Sequence, residues 1–130
     1  MILPIMKVNQ PSPITGRIYS QYEVDKIISL FDKQVKLIGP LYGEYPQTES
    51  ILVSELNASH VVKNIFIEND ILYGEIELLK DIPNINLLKL VFRGMGWVTT
   101  DNYAHVTDII TFDLDEHTFK FFQGFNDFKY

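Results

Sequence analysis

The sequence predicts an α+β domain whose strands pair mostly antiparallel in a barrel-like sheet carrying two short helices. Three observations lead there. Runs of β-branched and aromatic residues outnumber helical stripes. The clearest two runs are separated only by Glu68-Asn69-Asp70, a turn-forming trio that demands an antiparallel hairpin. Few intervening stretches are long enough to be crossover helices, which parallel pairing requires. A length of 130 residues gives one domain with a sizeable core, and 46% hydrophobic residues is the composition of a folded chain. We place the domain at residues 1–116 and a distinct tail at 117–130.

Residues 2–8 are apolar and strand-like, stopped by Pro11-Ser12-Pro13. Ser20 and Glu23 have the spacing of a capping box. Val24, Ile27, Ile28 and Phe31 then fall at i, i+3, i+4 and i+7, so a helix is predicted from about Gln21 to about Lys33. Turn formers dominate residues 37–50, with a short strand at Ile51-Leu52-Val53. The hairpin around residues 68–70 follows. Asp81 and Pro83 end its second strand. Ile85, Leu87, Leu88 and Val91 suggest a second, short helix that Gly94 terminates. Strands are expected at Trp97–Thr100 and from about Val106 to Leu114.

Several function classes are disfavoured by composition. A net charge of −6 with scattered basic residues does not suit a nucleic-acid backbone. The absence of cysteine removes disulfides and thiolate chemistry. No apolar run approaches the length of a membrane span, and the proline at position 4 makes the N-terminus a poor secretory leader, so an intracellular protein is expected. Asn57-Ala58-Ser59 fits a glycosylation sequon that such a location leaves unused.

The candidate chemistry is sparse. Asp113-Leu114-Asp115-Glu116-His117 collects three carboxylates and an imidazole, but strand alternation divides them between faces. Metal binding also needs ligands from several elements, so this reads as a solvated strand end with no metal. No cofactor motif is present: Gly94-Met95-Gly96 lacks the third glycine and the lysine of a phosphate loop. The hydroxyls of Ser54, Ser59, Thr99 and Thr100 could act as nucleophiles only beside a base. His60 stands at the hairpin entry, where hydrogen bonding within a turn is the competing role.

The last fourteen residues are the most unusual in composition. Phe119, Phe121, Phe122, Phe125, Phe128 and Tyr130 either close the domain's own core or form an arm that inserts into a neighbouring subunit.

In order, the phrases Thr15-Gly16-Arg17-Ile18-Tyr19-Ser20, Gly43-Glu44-Tyr45-Pro46, Ala58-Ser59-His60-Val61-Val62, Gly74-Glu75-Ile76-Glu77-Leu78, Gly96-Trp97-Val98-Thr99-Thr100-Asp101 and Val106–Leu114 span about residues 14–116. Their succession resembles the prohead core proteases of large-headed tailed bacteriophages, serine proteases related in fold to the herpesvirus assembly proteases. Family phrases such as NGRIYP, GELxHP, VSHII, GKIEIL and GVSSRG stand behind these matches.

The resemblance implies a protease fold, and its departures imply a lost activity. The family's histidine before proline, the expected general base, corresponds to Tyr45 or to a deletion beside it. The serine pair holding the nucleophile corresponds to Thr99-Thr100, and the following arginine to Asp101. His60 remains. Tyrosine, with a pKa near ~10, is a poor base at neutral pH. The expectation is therefore a catalytically inactive, prohead-protease-like component of a phage head. It would be assembled in the host cytoplasm and resident in the virion, and would contact capsid or other virion proteins or itself. Two alternatives stay open. One is a divergent protease using Thr99 or Thr100 with His60. The other is a phage effector that binds a host protein.

Overall fold

The computed structural model describes residues 1–12, 15–46 and 50–116. It is an α+β arrangement with mostly antiparallel strands. β1 (Ile2–Lys7) is followed by α1 (Gln21–Leu37), β2 (Leu41–Glu44), β3 (Ala58–Glu68), β4 (Ile71–Leu78), β5 (Leu88–Val98) and β6 (Ala104–Glu116). The strands make a four-stranded sheet in the order β1-β4-β3-β2 and a two-stranded ribbon, β5-β6. β5 runs beside β1 and β6 beside β2, yet no ladder joins the sheet to the ribbon. The expected barrel-like sheet is therefore two packed sheets that do not close into a barrel.

The β3–β4 hairpin turns through Asn69 and Asp70 with φ of 53° and 62°. Two consecutive left-handed residues make a type I′ turn, whose twist matches that of the flanking strands. Asn and Asp tolerate that conformation better than other non-glycine residues. Helix α1 starts where the capping spacing predicted: the Ser20 hydroxyl accepts a hydrogen bond from the Glu23 N–H at 3.3 Å. The helix runs four residues past the predicted end. Its apolar stripe ends near Phe31, but its stop signal is Gly39, which has φ +116° and donates to the Gln34 and Val35 carbonyls, with Pro40 next.

Only one α-helix is present among the described residues. The second predicted helix is a correction: residues 85–87 make a single 3₁₀ turn and Leu88 onward is β5. Leu88, Leu90, Phe92, Gly94 and Gly96 are buried with a period of two, which a strand satisfies and a helix does not. Gly94, read as a helix stop, lies inside β5, where a Cβ would collide with the Phe92 ring and the Asp108 carbonyl. The strand expected at 51–53 is irregular chain.

Val24, Ile27 and Phe31 of α1 pack against the same core as Val62, Ile65, Leu72, Leu90, Phe92, Phe112 and Leu114. Phe112 touches both Phe31 and Phe92, with ring centroids 6.3 and 5.5 Å away, so helix, ribbon and sheet meet at one aromatic cluster. A buried Glu23 adds a polar tie: its carboxylate accepts from the Val106 N–H at 2.7 Å, while Lys26 donates to the Val106 carbonyl at 3.1 Å. The β5–β6 ladder shifts register here, between Met95 and Gly96, so the helix side chains serve a backbone unit at a break in the ladder. No helix among the described residues is long and apolar enough to cross a membrane.

Candidate functional site

The concentration of buried polar chemistry lies in the seam between β2 and β6, where the hydrogen-bonded ladder is missing. β6 is buried continuously from Ile109 to Asp115. Its Phe112 and Leu114 face the apolar core, so alternation turns Thr111 and Asp113 toward β2 and residues 50–52. Side chains bridge the gap that backbone pairing leaves. The Thr111 hydroxyl donates to the Tyr42 carbonyl, and the Asp113 carboxylate accepts from the Glu44 N–H at 2.9 Å.

Arg93 sits on β5 opposite Thr111 and is fully buried. Its Nε and Nη2 donate to the two Asp113 oxygens at 2.8 and 2.9 Å, and Nη2 also donates to Glu44 Oε1 at 2.8 Å. Nη1 donates to the Ser50 and Leu52 carbonyls at 2.9 and 3.2 Å. All five guanidinium N–H groups are thus used, the condition under which an arginine tolerates burial. Burial raises the Asp113 carboxyl to about 6, against the opposing pull of Arg93 and the Glu44 N–H. The network is a clamp: one cation holds β2, β5, β6 and the 50–52 segment together.

This overturns the reading of Asp113 and Asp115 as a solvated strand end. Both are buried: Arg93 and the Glu44 N–H give the Asp113 carboxylate three hydrogen bonds, and Asp115 lies beside Lys89, which is itself partly desolvated. No group of three or more His, Cys, Asp or Glu side chains among the described residues is arranged to hold a metal.

Beside the clamp lies a second buried set. His60 Nε2 is 2.8 Å from the Phe112 carbonyl, which can only accept, so Nε2 carries the proton. Nδ1, 2.7 Å from the Ser59 hydroxyl, then accepts from it. Burial pushes the His60 imidazole down to about 4, leaving it neutral at physiological pH. The geometry has the form of a hydroxyl directed at a base. Both residues, however, have zero solvent exposure, and Gly43 closes over the ring so tightly that a Cβ there would overlap His60 and the Phe112 carbonyl. The set can carry a proton arrangement but admits no substrate atom.

The residues singled out from sequence fall in three places. Tyr45 is half-buried against the core, two residues beyond Gly43, which pairs with His60 in the β2–β3 ladder. Thr99, Thr100 and Asp101 occupy the β5–β6 turn. There the Thr99 hydroxyl donates to Asp101 at 2.8 Å and accepts from the Tyr103 N–H at 3.0 Å, while Asn102 takes φ 72°. Thr99 follows Val98, which pairs with Ala104, eight residues along β6 from Phe112. That is roughly 25 Å of strand from the carbonyl that holds His60. The structure therefore brings His60 to Ser59 and not to Thr99 or Thr100. The aromatic tail positions, Phe119, Phe121, Phe122, Phe125, Phe128 and Tyr130, lie outside the described residues.

Sequence reasoning passed over Arg93 and Glu44 as a functional pair. The available signal was an arginine inside an apolar run, LKLVFRGMGW, together with aspartates inside ITFDLD. Charged residues embedded in strand-like apolar runs must find each other. No family model, curated protein or solved structure matches the chain.

Proposed function

We propose that the chain is a non-catalytic assembly component of a tailed-phage head, built on a prohead-protease-like, barrel-related domain and resident in the virion. The phage context rests on the ordered phrases from Gly16-Arg17-Ile18-Tyr19 to Val106–Leu114 and on the phenylalanine-rich tail. The observation that carries the non-catalytic part is the separation of hydroxyls and base. Thr99 and Thr100 stand at the far turn of the ribbon, while His60 is sealed in the interior with both ring nitrogens engaged. A histidine-activated nucleophile needs the imidazole within hydrogen-bond reach and needs access to substrate; neither threonine lies within reach of His60, and Ser59 lacks the access.

Quantitative mass spectrometry of purified heads tests this reading. It expects the chain at a copy number comparable with a shell protein, uncleaved. Absence from particles, or cleavage of itself or of capsid protein that Thr99→Ala or Thr100→Ala abolishes, refutes it.

A further inference from the structure

The seam between β2 and β6 is closed by side chains where a ladder would otherwise run. The Tyr42 carbonyl accepts from the Thr111 hydroxyl, the Glu44 N–H donates to the Asp113 carboxylate, and the Ser50 and Leu52 carbonyls accept from Arg93. All but the first of these bonds end on Arg93 or Asp113, so the closure of the seam depends on the Glu44–Arg93–Asp113 triad. The triad sets two carboxylates against one guanidinium, with Arg93 and Asp113 at zero exposure and Glu44 buried. One negative charge is left uncompensated away from water, a condition that a low-dielectric interior disfavours.

We propose that this seam is a proton-operated latch, closed over the triad while it holds one extra proton and released as that proton passes to water. Asp113 Oδ2 is the place for the proton, since it accepts one hydrogen bond where Oδ1 accepts two. Among the described residues, the titratable and charged side chains brought around Asp113 are Glu44 from β2, His60 from β3, Arg93 and Lys89 from β5, and Asp115 from β6. None relieves the excess charge: burial keeps His60 neutral, and Lys89 stands opposite Asp115 in the ladder. Helix α1 presents Phe31 to Phe112, on the other face of β6. Burial accordingly lifts the Asp113 carboxyl to about 6, whereas a hydrated one stays near ~4. Opening the seam lets water reach Asp113 and so favours its ionised form. By linkage, opening is resisted at acid pH and eases as pH rises from about 4 to about 6. Tyr42, Ile51 and Leu52 also line an open groove with Leu41, Ile109 and Ile110, so release of the latch frees one wall of that groove.

The Glu44 N–H reads the seam directly, because its acceptor is Asp113 itself. Its hydrogen exchange in the full-length protein, followed by NMR from pH 5 to pH 8 and divided by the intrinsic rate at each pH, measures how firmly the latch is closed. Protection at position 44 should lie below that of amides in the middle of α1 at every pH, which separates seam opening from unfolding of the whole molecule. It should fall by about tenfold from pH 5 to pH 7 and change little from pH 7 to pH 8, the ratio for a carboxyl that moves from about 6 to about 4 on opening. Asp113→Asn keeps an oxygen for the Glu44 N–H and cannot ionise, so its protection should stay level across the range. Glu44→Gln leaves one carboxylate to one guanidinium and should reduce the fall to under about threefold. Wild-type protection at position 44 that equals that of α1, stays level or rises with pH overturns the latch. So does an undiminished fall in either variant, and the wild-type profile decides by itself where a variant does not fold.

Discussion

Replacing Arg93 by methionine should cost more than any single surface substitution in this protein. Methionine preserves most of the volume and the unbranched shape of the side chain but removes five donors. The loss leaves the buried Asp113 and Glu44 carboxylates without their cation and the Ser50 and Leu52 carbonyls without their donor. Removing one partner of a buried, hydrogen-bonded charge pair costs about 3–5 kcal/mol, because the remaining charge is desolvated and uncompensated. Against a typical total of about 5–15 kcal/mol, that is a large share of the stability. The Lys63–Glu77 pair, 3.2 Å apart and more than half exposed on both sides, serves as the internal control. Lys63→Met should cost under about 1 kcal/mol, since solvent screens an exposed pair.

The Arg93 deficit should also depend on pH, with a sign that follows from Asp113. Without Arg93 only the Glu44 N–H still opposes the desolvation of that carboxyl, so its folded-state pKa climbs further above the unfolded value. A carboxyl raised in the folded state contributes stability at low pH and loses it as pH rises through the folded pKa. The deficit is therefore smallest near pH 5 and grows toward pH 8, by about 1.4 kcal/mol for each unit of additional upshift. His60 contributes equally to both proteins and cancels in the difference. Urea unfolding of wild type, Arg93→Met and Lys63→Met at pH 5, 7 and 8 reads all of this. A deficit below about 1 kcal/mol at pH 7, or one that shrinks as pH rises, refutes the clamp.

The remaining predictions concern smaller parts of the same architecture. His60 should appear in nitrogen-detected NMR as the Nε2–H tautomer at pH 7 and remain neutral through pH 5.5; a titration midpoint near 6.5 refutes its burial. Because its pKa is lowered on folding, its contribution is complete above about 6.5 and is lost as pH falls toward about 4. Gly43→Ala should cost about 1–3 kcal/mol by forcing a Cβ into the His60 ring. Gly39→Ala, where open space surrounds the site but φ is +116°, should cost about 1 kcal/mol from backbone strain alone; equal and negligible losses in thermal unfolding count against both accounts. Thr99→Ala should lower stability by about 1 kcal/mol through its two turn hydrogen bonds, while Thr100→Ala should change it by less than about 0.5 kcal/mol; a larger effect at Thr100 assigns the turn to the wrong residue.

Local interactions were legible from residues alone. Ser20 with Glu23 marked the start of α1, Asn69-Asp70 marked the hairpin, and the alternating runs on either side marked β3 and β4, because each depends on neighbours a few positions apart. The β5 segment misled for the same reason: Ile85, Leu88 and Val91 satisfy a helical spacing while Leu88, Leu90 and Phe92 satisfy a strand, and only β6 alongside settles which period is used. Partnerships across the fold left almost no local trace. Glu23 spaces like a capping residue, yet its carboxylate belongs to Val106, 83 positions away. Arg93, Asp113 and Glu44 come from three strands, and their burial is tolerable only because each is present to satisfy the others. The sequence by itself determined the class of domain, its hairpin and its helix start. The tertiary structure alone decided that His60 faces Ser59 rather than a threonine, and that aspartates at a strand end lie in the interior, since charge pairing and access are properties of distance in space.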